Sequence, residues 1–338
     1  MAVFTALAPA QLTPWLQRYP LGRIIDLQGI VSGIENTNYF LTTTHGTYVL
    51  TIFERLCARE VSFYLDFMRY LATRQIPVSV PIARMDGALF SVLCGKPAAL
   101  TNKLEGAVQR APTHRHCAQV GQTLARMHLA ARQCAATAPQ NPRGLAWQCE
   151  AARAVASFLT PAQRLLLHNE LAFQQSAQAA PEYAQLPAGI CHGDLFRDNV
   201  FFIMQEEGAE DACRLSGFFD FYFAGLDKWL FDVAVCVNDW CIMPANSQFD
   251  GTRVRAFLSA YQAVRAFTPL EAAYWPALLR AAALRFWISR LYDFYVPRQA
   301  RILNVHNPAH FEHLLRAHLH LERFSNARAA NPFDFLCT

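Results

Sequence analysis

The chain has 338 residues, 53% of them hydrophobic and 17% charged, which is enough apolar surface for a large core and excludes a disordered chain. Lys plus Arg is 30 against 26 for Asp plus Glu, a formal charge of +4, and no basic run interleaves with aromatics, so no nucleic-acid partner is expected. The ten cysteines form no CxxC pair, and no segment reaches the roughly 18 apolar residues of a membrane span; together these point to a cytoplasmic protein without membrane or structural zinc.

In chain order, strands are expected at Ile24 to Val31, Asn38 to Thr43 and Thr47 to Phe53, with the His45-Gly46 turn reversing the last pair. From Ala58 to Arg74, Val61, Phe63, Tyr64, Phe67, Met68 and Leu71 fall at helical spacings, and Pro77 lies just beyond. Val78 to Ile82 and Ala88 to Leu93 read as two further strands. The order implies a small antiparallel sheet with one packed helix, a nucleotide-binding lobe over residues 1–93. Cys94-Gly95-Lys96-Pro97 breaks the last strand, and residues 94–98 are the expected hinge. Residues 99–338 read as a mainly helical catalytic and acceptor lobe, with helices near His114 to Ala130, Trp147 to Phe158, Ala162 to Ala179, Lys228 to Val237, Thr252 to Phe267, Leu270 to Tyr295 and His310 to Arg323. The fold class is therefore α+β and two-lobed, like that of the protein kinases.

One stretch interrupts the helical pattern: Ile190-Cys191-His192-Gly193-Asp194-Leu195-Phe196-Arg197-Asp198-Asn199-Val200-Phe201-Phe202, followed after an acidic turn by Leu215-Ser216-Gly217-Phe218-Phe219-Asp220-Phe221. Two short strands here would form a hairpin that brings Asn199 close to Asp220. Phosphoryl transfer requires a group to orient the acceptor hydroxyl, ligands for a metal near the phosphates, and a cover over the nucleotide. Asp194 and Asn199 have the spacing of the base and metal ligand in the kinase H-x-D-x-x-x-x-N loop, and Asp220 between phenylalanines fits the second metal carboxylate. An acid inside so apolar a run requires a partner or a metal. His192 is expected to support the loop around Asp194. The loop Ser32 to Asn38 could lie over phosphates, with Gly33 relaxing the backbone.

These segments resemble the aminoglycoside phosphotransferase and choline kinase-like superfamily. Gly29 to Phe40, Tyr48 to Glu54, His192 to Asn199 and Phe286-Trp287-Ile288-Ser289-Arg290-Leu291 look like its bacterial homoserine-kinase family. The resemblance implies Asp194 as catalytic base, and Asn199 and Asp220 as Mg2+ ligands. It also implies ATP contacts at Ser32, Gly33, Ile34, Asn36, Asn38, Thr51 and Leu93, with Phe90 to Lys96 near the adenine. The implied acceptor is a small amino acid, L-homoserine, phosphorylated on its side-chain hydroxyl. Arg197, Arg285 and Arg290 are candidates for its carboxylate, and Asp198 or Glu35 for its ammonium.

The kinase pattern also expects a lysine on the third strand. Only Lys96, Lys103 and Lys228 are lysines, and Thr51 stands at the corresponding position. Arg55 or Arg59 could supply the charge, with Glu60 as helix partner. Rival readings are a kinase for choline, methylthioribose or an aminoglycoside, and a nucleotide-binding pseudokinase. Monomer and homodimer both stay open.

Overall fold

The computed structural model describes residues 4–30, 35–134, 136–204, 213–243, 248–296 and 307–325. Its first element is α1 (Pro9–Leu16), which sequence patterning did not anticipate: proline stands at its first position, and the Gln11 side chain accepts the Ala8 N–H at 3.0 Å. Strands β1 (Ile24–Gly29), β2 (Thr37–Thr43) and β3 (Gly46–Ile52) form the expected meander, followed by α2 (Ala58–Thr73). β4 (Phe90–Leu93) and β5 (Lys96–Asn102) complete an antiparallel sheet in the order β1-β2-β3-β5-β4.

Period-two alternation divides this sheet's residues between two cores. Tyr39, Leu41, Leu50, Ile52, Leu93, Ala98 and Leu100 pack with Leu12, Trp15 and Leu16 of α1. Phe53 and Ala99 instead join the large core that includes Val61, Tyr64, Phe67 and Met68 of α2.

The expected hinge at residues 94–98 is a hairpin turn. Cys94 and Gly95 both have positive φ, 52° and 78°, the backbone of a two-residue turn, and Leu93 pairs with Lys96. Pro97 stands second in β5, near the strand's start, and its carbonyl accepts the Phe53 N–H at 2.9 Å. The chain leaves the sheet only after Asn102, reaching the catalytic hairpin at Ala107, which bridges Phe202. Gly106 makes this crossing at φ 88°, and a Cβ there would lie 2.1 Å from the Phe202 carbonyl oxygen. The expected strand at Val78 to Ile82 is an extended segment with isolated bridges, Val78 to Phe218 and Pro81 to Thr101. Pro77 and Pro81 lack the N–H groups a regular ladder needs.

The larger lobe contains α3 (His114–Ala131), α4 (Leu145–Val155), α5 (Pro161–Ala179) and α6 (Pro181–Ala184), with a 3-10 turn over Ala156–Phe158 after α4. Then come β6 (Ala188–Cys191), a 3-10 turn over Arg197–Asn199, β7 (Val200–Met204), β8 (Cys213–Phe218) and β9 (Gly225–Lys228). β6 pairs with β9 and β7 with β8, both antiparallel. The last helices are α7 (Trp229–Trp240), α8 (Gly251–Val264), α9 (Pro269–Tyr295) and α10 (Ala309–Ser325). α7 is buried almost all round and runs beneath the catalytic loop, whereas α9 carries Arg285 toward it. Among the described residues no helix is long and apolar enough to cross a membrane.

Candidate active site

The loop from His192 to Asn199 enters from β6 and exits through the 3-10 turn into β7. Gly193 sits at φ 77°, where a Cβ would lie 2.9 Å from the Phe223 carbonyl, so the tight approach selects glycine. The Asn199 side-chain amide donates to the Asp194 carbonyl oxygen at 2.7 Å and to its carboxylate at 3.2 Å. The pairing of β7 with β8 places Val200 opposite Phe218, and the Phe219 N–H donates to the Asn199 carbonyl at 3.1 Å. Asp220 follows at φ 61°, a strained backbone for a non-glycine residue. The expected hairpin thus brings Asp194, Asn199 and Asp220 to one cluster.

His192 ties the two halves together. Burial lowers its pKa to about 4, so the ring is neutral. A carbonyl can only accept, so Nε2 carries the proton donated to the Phe219 oxygen at 3.0 Å, and Nδ1 accepts the Asp194 N–H at 3.3 Å. One imidazole therefore links the residue before Asp220 to Asp194 itself.

Beneath it lies Asp232 of α7, fully buried, which sequence reasoning missed. Its Oδ2 accepts the His192 N–H at 2.7 Å and its Oδ1 the Gly193 N–H at 2.9 Å. His128 Nε2 lies 3.0 Å from Oδ2, and the His128 Nδ1 lies 2.7 Å from the Tyr261 hydroxyl. Burial lowers the His128 pKa against the pull of Asp232, so the neutral ring donates to Asp232 and accepts from Tyr261. Burial alone would raise the Asp232 carboxyl, yet the His128 hydrogen bond and neighbouring donors outweigh it and hold the group below its ordinary range. The Cys191 sulfur also falls within 4.8 Å of this pair, so the three ligand atoms lie close enough together to hold a metal by distance alone. Burial keeps its thiol protonated, and its sulfur lies near the Gly189 and Lys228 carbonyls, so the cluster is a hydrogen-bonded anchor. A lone acid in the apolar run Trp229 to Val237 was the available signal.

Electrostatically the cleft is acidic. Burial raises Asp194 to about 7, with Asp220 and Asp198 adding to the shift and Arg285 opposing it. Burial likewise raises Asp220 to about 7, reinforced by Asp198 and Glu35. Arg285 Nη1 lies 3.4 Å from the Asp194 carboxylate. This arrangement can hold a hydroxyl against Asp194 and accept a divalent cation beside it.

The remaining expected residues separate. Arg197 is occupied elsewhere: its Nε and Nη2 donate to Asp239 at 3.1 and 3.2 Å, and its Nη1 to the Arg110 carbonyl at 3.1 Å. Arg290 stacks 4.4 Å over Phe311, within the electrostatic reach of Asp198 and Asp194. Asp198 is exposed at the cleft rim. Glu35 faces Arg143 at 3.4 Å. Asn36 is buried, its Oδ1 accepting the Glu54 N–H at 3.4 Å, and Asn38 accepts the Thr51 hydroxyl at 2.8 Å. Ser32, Gly33 and Ile34 lie outside the described residues.

Leu93 is a correction. It packs beneath α1 on the face opposite Thr51, because the turn at Cys94 sets the register of β4 one-sidedly against that core. Thr51, at the place expected for lysine, meets Tyr222 of the larger lobe as well as Asn38. Glu60 is not a cation's helix partner: its carboxylate accepts the Cys57 N–H at 2.9 Å and caps α2. Lys96 pairs with Glu54 and donates to the Thr5 hydroxyl at 2.9 Å, within the small lobe.

A small sheet over a helical lobe, with an Asp–Asn loop and an Asp-bearing hairpin between them, defines a two-lobed phosphotransferase. The chain belongs to the Phosphotransferase enzyme family, whose profile matches residues 26–267. It is 56% identical over 319 residues to the homoserine kinase of Paraburkholderia phymatum, covering 94% of this chain and 98% of that protein. It is 54% identical over 337 residues to the homoserine kinase of Burkholderia ambifaria, covering 100% of both. Among solved structures, an amicoumacin kinase in complex with AMP-PNP, Ca2+ and Ami superimposes with a TM-score of 0.68 at 16% identity, over 94% of each chain. A spectinomycin phosphotransferase superimposes with a TM-score of 0.62 at 14% identity, over 98% of each chain. These two likenesses establish the fold.

Proposed function

We propose that this chain is a homoserine kinase, transferring the γ-phosphoryl group of ATP to the side-chain hydroxyl of L-homoserine to give ADP and O-phospho-L-homoserine for threonine biosynthesis. The observation that carries the reading is the pairing of 54% identity across the full length of a homoserine kinase with an intact Asp194–Asn199–Asp220 cluster. A pseudokinase would be expected to lose one of these three groups.

Asp194 accepts the hydroxyl hydrogen or holds the hydroxyl in line with the phosphorus. Its elevated pKa makes it a stronger base than an exposed carboxylate. Arg285, at 3.4 Å, steadies its ionised form and offers charge to the acceptor. Asn36 and Asn38 belong to the segment read as the cover over the phosphates, and Thr51 stands where the kinase pattern has its lysine.

The donor set fits a hard cation. Asp220 is desolvated beside Asp198 and Glu35, all carboxylates, and Asn199 adds an amide oxygen. Asn199 and Asp220 would hold Mg2+, which when bound would neutralise charge on the phosphates. The chain's own contribution is positioning: His192 and Asp232 fix the loop, and Asn199 fixes the Asp194 carboxylate. The protein acts in the cytoplasm, where ATP is available and where the cysteines of the described residues, all free thiols, stay reduced.

The test is ADP release with magnesium and ATP, comparing L-homoserine with L-serine, L-threonine, choline, methylthioribose and kanamycin, with the product identified by phosphorus NMR. Homoserine is expected to give the highest kcat/KM. Turnover on another acceptor with homoserine inert would keep the kinase and discard the substrate.

A further inference from the structure

Two arginines, one just before α4 and one on α9, lie beside the same aromatic ring, that of Phe223. The Arg143 guanidinium lies 4.1 Å from the Trp147 ring centroid and 5.3 Å from that of Phe223. The Arg285 guanidinium lies 5.3 Å from the same Phe223 centroid and 3.7 Å from that of Phe286. Arg285 is only 3% exposed, and burial lowers its pKa to about 10, with Arg143 among the charges pushing it further down. Like charges near one another repel, and an anion that meets both relieves that repulsion.

Each guanidinium already faces one carboxylate of the cleft. Glu35 meets Arg143, and Asp194 meets Arg285, each at 3.4 Å. Charge-assisted pairs close to about 2.7–2.9 Å when geometry permits.

Arg143 is also held in advance. Its own N–H donates to the Asn141 side chain at 2.8 Å, and its carbonyl accepts from the Gln148 amide at 3.0 Å. Asn141 in turn donates through its N–H to the Leu226 carbonyl at 3.1 Å and through its side chain to Asp227 at 2.6 Å, anchoring the loop on β9. Two fixed, planar forks suit a carboxylate, which is planar and accepts through both oxygens.

We propose that Arg143 is a specificity-determining residue, forming with Arg285 a two-guanidinium clamp around Phe223 for the α-carboxylate of the acceptor. The proposal rests on the reading of this chain as a kinase of an amino-acid alcohol. Glu35, 3.4 Å from Arg143, lies beside the clamp as a partner for the acceptor's ammonium. Acceptors without a carboxylate forgo the contact with both guanidiniums and are discriminated against on that account.

The test compares L-homoserine with 3-amino-1-propanol, which keeps the hydroxyl and amine but lacks the carboxylate, in wild type, Arg143→Ala and Arg143→Lys. In R143A, kcat/KM for L-homoserine is expected to fall about tenfold to a hundredfold, mainly through KM, the loss expected of a hydrogen bond between charged groups. The aminopropanol value is expected to fall far less, so the preference for homoserine collapses while KM for ATP holds. R143K, which keeps a charge without the fork, is expected to fall between. Parallel loss of both acceptors in both variants, or an unchanged preference, overturns the assignment. Wild-type protein that ignores L-homoserine but phosphorylates aminopropanol overturns the substrate reading, and the clamp with it.

Discussion

A single side-chain amide spans Asp194: Asn199 donates to its carbonyl oxygen at 2.7 Å and to its carboxylate at 3.2 Å. The residue offered as a metal ligand therefore also sets the rotamer of the residue offered as base. Asn199→Ala is expected to lower kcat by about a hundredfold or more, since positioning and charge stabilisation are lost together. Steady-state kinetics with the urea midpoint measured in parallel checks this, because a purely structural role would move the midpoint and spare kcat in the folded fraction.

Asp232 satisfies two loop N–H groups and His128 at once. Asp232→Ala leaves these buried donors without an acceptor, and a loss of about 2–5 kcal/mol is expected. Denaturant unfolding measures it. His128→Ala, which leaves the two backbone bonds in place, is expected to cost less.

The elevated carboxyls carry a pH signature with a definite sign. Asp194 and Asp220 are raised to about 7 in the metal-free protein, so the folded state binds more protons than the unfolded state between the ordinary carboxyl range and about pH 7. Their contribution to stability is present at low pH and is lost as pH rises through that window. The buried neutral rings of His192 and His318, lowered to about 4 and about 3, slope the other way between those values and the ordinary histidine pKa. The informative quantity is thus the difference between wild type and Asp220→Asn. Thermal melts of the apo proteins are expected to show D220N gaining on wild type from pH 4 to pH 7, with Mg2+ and ATP narrowing the gap by stabilising wild type. Parallel pH profiles would contradict the assignment of a desolvated Asp220.

Much of this site was legible because its signals are local. Asp194 and Asn199 lie within one loop, and the Phe-rich run around Asp220 marks a buried acid without reference to any other segment. The first three strands and α2 were visible from alternation and helical spacing. What was misread depends on pairing across the chain. Cys94-Gly95 reads as a break either way, and only its pairing of Leu93 with Lys96 distinguishes a hairpin from a hinge. That same register turns Leu93 toward α1. Arg197 resembled a substrate residue until Asp239, on a different helix, claimed it. Arg143 had no local signal at all, since its meaning comes from Phe223 and Arg285 far along the sequence.

Thr51 tests how the cleft works without a strand lysine. It is 4% exposed, hydrogen-bonded to Asn38 and in contact with Tyr222. Thr51→Lys must push a longer charged chain into that space, with Glu60 already committed to capping α2. The variant is expected to be less stable and to show no gain in kcat/KM for ATP. A lower KM for ATP would mean that the site retains room for the ordinary kinase cation.

Asp194 acts directly on the hydroxyl of homoserine, a role measured by ADP release from purified Asp194→Asn with magnesium, ATP and L-homoserine. The substitution keeps the shape of the side chain and removes its basicity. A fall in kcat of about a hundredfold to ten-thousandfold is expected, with ATP binding and the thermal midpoint retained. Homoserine turnover at the wild-type rate in D194N would contradict that role.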